Sequence, residues 1–288
     1  MSQSIGMILK DVKIQHTIFA LPFAIASAVV AADGIPSLRS LLLLLMAMIF
    51  ARSAAMAFNR LVDMNFDRLN PRTKDRPLAR GFVHQNFYRG FIVVNSAAFV
   101  VVAFHVGKLA FTLAPVALFL IFLYSLTKRF TSYSHFFLGA ALSLAPLGGW
   151  IVVRGTIELA PMILAVAVLF WLAGLDIIYA CQDCDFDRSI DNIYSLPKKV
   201  GITTALRFAA LCHLVMIVIL AIFGLYVGMS FLYWIGLIFI GILLSYEHSL
   251  VSEEDLSQVN KAFFNVNGYI SLLFALFVIA DKTFLNLL

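Results

Sequence analysis

Uninterrupted apolar stretches dominate the chain, and the polar residues gather in short segments between them. Residues 14–32, 90–107, 109–127, 130–153, 159–175, 208–246 and 262–280 contain no Asp, Glu, Lys or Arg. Residues 40–58 form a further stretch, interrupted only by Arg52. A helix that crosses the hydrocarbon core needs about 20 mostly apolar residues, so the 208–246 run can supply two, hinged near 224–230. The pattern predicts nine spans at 14–32, 38–59, 89–107, 109–127, 134–153, 159–182, 204–225, 229–247 and 264–283. Barrel strands would alternate apolar and polar residues, and these runs do not. The expected fold is all-α, a polytopic bundle of nine transmembrane helices around a central cavity.

Composition sharpens this picture. Apolar and aromatic residues make up 62% of the 288 positions, charged residues 13%, and the mean hydropathy is +0.95. Soluble domains carry roughly 25% charged residues, so an ordinary globular enzyme is excluded. A disordered chain and a nucleic-acid-binding domain are excluded too, despite the net charge of +5. Cys181, Cys184 and Cys212 are too few and too irregular for a disulfide framework. The first span, preceded by Lys10 and Lys13, imitates a secretory signal, but further spans follow at once and it reads as retained. One domain is expected over residues 1–288, as two four-helix halves and a ninth helix.

Basic residues set the orientation. With the N-terminus cytoplasmic, sixteen of the 21 Lys and Arg fall inside: Lys10, Lys13, seven between Arg60 and Arg89, Lys128, Arg129, Arg188, Lys198, Lys199, Arg207 and Lys261. Arg39, Lys108, Arg154 and Lys282 fall outside. The expectation is a plasma (inner) membrane protein with its N-terminus and polar loops cytoplasmic and its C-terminus outside.

Half of the sixteen Asp and Glu residues lie in two of those inner segments. One is Asn59-Arg-Leu-Val-Asp63-Met-Asn-Phe-Asp67, followed by Arg72, Asp75 and Arg76. The other is Asp176-Ile-Ile-Tyr179-Ala-Cys-Gln-Asp183-Cys-Asp185-Phe-Asp187, followed by Arg188 and Asp191. Asn59, Asp63 and Asp67 are four apart and share one helix face over about 12 Å. Asp176, Tyr179, Asp183, Asp187 and Asp191 share another, with Asp185 rotated about 200° away. Like charges at this spacing repel, and a divalent cation would offset that cost. Oxygen-only donors suit Mg²⁺, which binds through one or two carboxylates and substrate phosphates. The nearby cations Arg72, Arg76, Lys128 and Arg129 imply a ligand more negative than the metal neutralises, such as a diphosphate. The competing reading, solvated acids at helix ends, does not account for two such segments, each beside Arg and Lys.

These segments resemble the paired aspartate-rich motifs of the UbiA superfamily of intramembrane prenyltransferases. The first fits Asn-x-x-x-Asp-x-x-x-Asp and is trailed by Arg72-Thr73-x-x-Arg76-Pro77-Leu78; the second fits Asp-x-x-Tyr-Ala-x-x-Asp-x-x-x-Asp. Tyr124-x-x-x-Lys128-Arg129 and Phe263-Phe264-x-x-Asn267-Gly268-Tyr269 agree as well. The wording is similar to that of quinone-pathway members acting on 4-hydroxybenzoate or a dihydroxynaphthoate.

The resemblance implies Mg²⁺-dependent transfer of a polyprenyl group from its diphosphate to an aromatic acid, through an allylic cation. It implies Asn59, Asp63 and Asp67 as one Mg²⁺–diphosphate side and Asp183 and Asp187 as the other. Arg72, Arg76 and Lys128 would grip diphosphate oxygens, Tyr124 and Tyr179 would line the cation region, and Asp176 or Asp183 would accept the phenolic proton. No protein partner is expected beyond the two substrates and the bilayer.

Arg52 lies seven residues before Asn59, on the same face and about 10 Å deeper. An intramembrane charge usually marks function. It reads either as the partner of the acid's carboxylate or as a snorkelling or ion-paired side chain. A transporter for an anionic solute would place its charges near the midplane, and a phosphatidyltransferase of the CDP-alcohol type would carry one compact motif. His16, His105 and His213 read as core or interfacial. The segment from Tyr246 through Glu247 and His248 to Asp255 reads as a solvated loop.

Overall fold

The computed structural model describes residues 6–8, 11 and 19–284. Lys10, Lys13, His16 and the beginning of the expected first span lie outside the described residues. All regular structure among those described is helical. The helices are α1 (Leu21–Ala32), α2 (Leu38–Leu69), α3 (Gln85–Val106), α4 (Lys108–Thr127), α5 (Ser134–Leu142), α6 (Leu144–Arg154) and α7 (Leu159–Ala180). They continue as α8 (Cys184–Arg188), α9 (Leu196–Val200), α10 (Ile202–Val227), α11 (Phe231–Ser249) and α12 (Asn267–Phe284). Among the described residues eight helical segments are long and apolar enough to cross a membrane, and α1 is a shorter apolar helix.

Three departures from the sequence pattern shape the molecule. First, α2 runs ten residues past the expected end at 59. Its 32 residues span about 48 Å, more than a hydrocarbon core of about 30 Å, so its last turns stand clear of the apolar layer. Second, one expected span is bent: α5 and α6 meet at Ser143. Pro146 has no N–H to give the preceding turn, and its ring crowds the carbonyl four residues back. Third, α7 stops at Ala180, short of the expected 182, and a 3₁₀ turn at Cys181–Asp183 redirects the chain into α8.

The expected solvated loop from Tyr246 is also corrected. Tyr246, Glu247 and His248 belong to α11, and Glu247 is fully buried, because Asn267 supplies it with a hydrogen bond at 2.7 Å. His213 is buried and His105 is exposed at the end of α3, the core and the helix-end positions that the sequence reading allowed.

α1 packs on α6 and α12, α2 on α3, and α7 on α10 and α5. Small residues set these distances. A side chain at Gly149 would run into the Ala24 carbonyl of α1, and one at Gly139 into Leu169 of α7. The largest core cluster centres on Phe23, Leu164, Trp171, Leu172, Phe223 and Phe274. Large apolar side chains such as Val93, Val94, Phe104, Leu214, Ile238 and Ile242 face outward, as a hydrocarbon solvent requires.

Candidate active site

The first acidic motif occupies the inward face of the projecting part of α2. Asp63 and Asp67 are both buried, and each is neutralised by a cation of the chain itself. Asp63 Oδ2 accepts from Lys128 Nζ at 2.5 Å and from Asn59 Nδ2 at 3.1 Å, and its Oδ1 from Arg129 Nη2 at 3.2 Å. Arg76 Nη1 lies 2.7 Å from both oxygens of Asp67. The turn after α2 makes this possible: Thr73 Oγ1 donates to the Asp67 carbonyl at 3.2 Å, folding Arg72 and Arg76 back over the helix end. Burial and the charge of Arg60 hold the Arg76 guanidinium below its ordinary pKa, against the pull of Asp67.

The second motif approaches from α7, the 3₁₀ turn and α8. Asp183 accepts from Arg72 Nε at 3.0 Å, Arg72 Nη2 at 2.5 Å and Asn70 Nδ2 at 3.1 Å. Arg72 Nη1 also reaches the Tyr179 hydroxyl at 3.0 Å. Burial opposes the charge on Arg72, but the hydrogen bonds and charge of Asp183 hold its pKa above the ordinary value. Asp187 accepts from Ser195 Oγ at 2.6 Å. Asp185 points away, its side chain 97% exposed beside Arg188, and Asp191 sits in an exposed turn. The break at Cys181 thus preserves the inward direction of Asp183 and Asp187 although the helix is not continuous.

One cavity of about 1030 Å³ joins these groups. Asn59, Asp63, Asp67, Arg72, Arg76, Tyr124, Lys128, Asp176, Tyr179, Asp183 and Asp187 all line it, and so does Arg52. Away from the motifs its wall is apolar, with Ala47, Ala51, Ala114 and Ala117 leaving room for a bulky ligand. The Arg52 Nε is buried and has no hydrogen-bond partner among the described residues.

Sequence reasoning missed several lining residues. His135 Nδ1 lies 2.7 Å from Asp176 Oδ2. The Leu196 N–H donates to His135 Nε2 at 3.3 Å, which leaves Nδ1 to carry the proton given to Asp176. Ser195 also faces the cavity, as do Phe263 and Phe264 of the fragment already singled out near the last span. The partner of His135 lies 41 residues away, so no local spacing announces it. Arg129 was legible only as one half of the Lys128-Arg129 pair.

The motif side chains that line the cavity offer carboxylate and amide oxygens, with neither Cys181 nor Cys184 among them, the chemistry of a hard cation such as Mg²⁺. No three acidic, His or Cys side chains gather tightly enough to hold an ion by themselves among the described residues. An ion here would complete its shell with oxygens of a bound ligand, the usual habit of Mg²⁺.

The UbiA prenyltransferase family profile matches residues 20–273. A 4-hydroxybenzoate octaprenyltransferase of Marinobacter nauticus is 30% identical over 249 residues, covering 82% of this chain and 80% of its own. A ligand-free UbiA homologue of Aeropyrum pernix superposes with a TM-score of 0.84 at 28% identity, over 93% of this chain and 98% of that one. A UbiA homologue of Archaeoglobus fulgidus bound to GPP and Mg²⁺ shares the fold, with a TM-score of 0.74 at 19% identity over 96% and 99% of the two chains. Chain-wide similarity, a bundle of apolar helices and two facing aspartate motifs together make this an integral membrane protein that belongs to the UbiA prenyltransferase family.

Proposed function

We propose that the protein transfers a polyprenyl group from its diphosphate to the ring of a hydroxylated aromatic acid, 4-hydroxybenzoate or a dihydroxynaphthoate, in quinone biosynthesis. The observation that carries this reading is a single cavity with two acidic motifs and the cations Arg72, Arg76 and Lys128 at one end, and Arg52, whose buried Nε has no hydrogen-bond partner among the described residues, in the same wall. The relatives named 4-hydroxybenzoate octaprenyltransferase support the acceptor.

Asn59, Asp63 and Asp67 on one side, and Asp183 and Asp187 on the other, are the residues that would hold Mg²⁺. Its chemistry when bound is to neutralise charge on the departing diphosphate. Arg72, Arg76 and Lys128 now pair with carboxylates; they exchange those partners for diphosphate oxygens as substrate enters. The allylic C–O bond breaks with its electron pair leaving on the diphosphate. Tyr124 and Tyr179 face the resulting cation, and the apolar wall keeps water from capturing it. Arg52 takes the acid's carboxylate, which orients the ring and satisfies the buried N–H.

Asp176 accepts the proton that the ring system loses. Asp183 belongs to the set that would hold the metal, whereas Asp176 pairs with His135 and no other side chain among the described residues and faces the cavity. The N-terminus and the motif end of the bundle face the cytoplasm of a bacterial-type inner membrane, by the distribution of basic residues.

The test is an assay of purified protein with Mg²⁺, a polyprenyl diphosphate, and 4-hydroxybenzoate and 1,4-dihydroxy-6-naphthoate in parallel. Prenylation of one acid, abolished by EDTA, is expected. Prenylation of neither by folded protein would overturn the acceptor.

A further inference from the structure

Four elements meet at a buried polar cluster that the proposed reaction does not use. Glu247 of α11 accepts from Asn267 Nδ2 at 2.7 Å through Oε1. Asn267 Oδ1 accepts from the indole N–H of Trp171 in α7, also at 2.7 Å. All three residues are fully buried, and none lines the cavity. The other oxygen of Glu247 makes no hydrogen bond among the described residues and lies 3.8 Å from His213 Nδ1 of α10. His213 also meets His248 at 2.9 Å and the Trp171 carbonyl at 3.2 Å. Its ring fills the space that a side chain at Gly174 would need.

Polar side chains inside a membrane bundle are expensive and usually functional, and the placement of this cluster shows what it can do. Trp171 and Gly174 precede Asp176 and Tyr179 on α7. Asn267 directly follows a π-helical turn, Lys261–Val266. Such turns are uncommon and concentrate at functional sites. Asn267 braces this one from its end, because Nδ2 also donates to the Ala262 carbonyl at 2.9 Å. The turn carries Phe263 and Phe264, which do line the cavity. Their ring centroids stand 4.2 and 6.0 Å from that of Tyr179.

We infer that the Glu247–Asn267–Trp171 chain is a positioning device that holds Phe263 and Phe264 against Tyr179, completing the aromatic wall beside the allylic cation. This rests on the prenyl-transfer reading above. Once the C–O bond has broken, the cation has two fates. Bonding to a ring carbon of the acceptor, with loss of a proton, gives product. Bonding to water, with loss of a proton, gives prenyl alcohol. A wall that is out of place admits water and favours the second. Glu247 and Asn267 thereby govern the partition without touching substrate.

The experiment uses full-length protein in detergent with geranyl diphosphate, Mg²⁺ and the accepted aromatic acid, and quantifies prenylated acid, prenyl alcohol and diphosphate. Asn267→Leu and Glu247→Leu are expected to raise the alcohol share and lower transfer kcat about tenfold, the scale of one lost buried hydrogen bond. The KM for geranyl diphosphate should not change, because the acidic motifs are intact. Glu247→Gln keeps an oxygen for Asn267 and should keep the wild-type partition. The Phe263→Leu/Phe264→Leu double variant should reproduce the shift with the cluster untouched, which covers the case in which the cluster variants do not fold. Wild-type partition in Asn267→Leu or in the double Phe variant would overturn the inference, as would Glu247→Gln as impaired as Glu247→Leu. Wild-type protein that transfers nothing would fell the reaction and this inference together; wild-type turnover with unshifted variants fells the inference alone.

Discussion

Arg72 and Asp183, 111 residues apart, are joined by two hydrogen bonds, Nε to Oδ1 at 3.0 Å and Nη2 to Oδ2 at 2.5 Å. This fork ties the turn after α2 to the turn after α7, so the two acidic motifs form opposite lips of one cavity. In the proposed reaction it also holds the cation that would grip diphosphate in place before substrate arrives. Arg72→Ala is expected to raise the KM for prenyl diphosphate about 10- to 100-fold, the range for a lost forked anion contact. Arg72→Lys should recover little, because an ammonium cannot form the fork. In a double-mutant cycle on kcat/KM, Arg72→Ala and Asp183→Ala should be clearly non-additive. Additive losses would mean that the pair does not act as a unit.

Arg52 is a guanidinium in the cavity wall whose buried Nε–H has no partner among the described residues. Arg52→Met keeps the stem and removes the charge. The KM for the aromatic acid should rise about 100-fold, the cost of losing one charge-assisted pair in a desolvated site, with the KM for prenyl diphosphate unchanged. A rise confined to prenyl diphosphate would assign Arg52 to the acidic motifs instead.

Asp176 and His135 form a pair at 2.7 Å. Asp176→Asn should lower kcat by about 10²- to 10⁴-fold, the usual contribution of a positioned general base. Binding of prenyl diphosphate should survive. His135→Phe, which removes only the orienting partner, should cost less. Normal turnover in Asp176→Asn would exclude it as proton acceptor.

Glycines let the helices approach closely at α1–α6 and α5–α7, beside polar contacts such as Ser27 Oγ to the Pro146 carbonyl and His135 to Asp176. Gly149→Ala places a methyl group against the Ala24 carbonyl. It should destabilise the fold by about 1–3 kcal/mol, as overpacking does, and lower the thermal unfolding midpoint in detergent. The substitutions at Arg52 and Arg72 should leave that midpoint nearly unchanged.

How much of this could be seen in the sequence follows from the range of the interactions. Span positions were legible because an apolar run of membrane length is too costly to leave in water and too long for an ordinary core helix. The face shared by Asn59, Asp63 and Asp67 was legible because helical periodicity is local. That this segment continues the span as one unbroken helix to Leu69 was not, since it depends on Lys128, Arg129 and Arg76 neutralising acids that would otherwise repel. The break at Cys181 and the π turn at Lys261–Val266 depend on packing against other helices. The His135–Asp176 and Glu247–Asn267 pairs join residues 41 and 20 positions apart, and no spacing rule reaches across those gaps. Glu247 looked like a loop acid because its partner lies in the following helix.

The central claim is that both acidic motifs serve a single metal–diphosphate site. Its most direct test is binding of an unreactive prenyl thiodiphosphate to wild-type protein, Asp63→Ala and Asp187→Ala, each with and without Mg²⁺. Wild-type protein should bind only with Mg²⁺, and either substitution should weaken binding about 100-fold or more, as expected where carboxylates bind the analogue through a shared metal. Tight, Mg²⁺-dependent binding by either folded variant would contradict the claim.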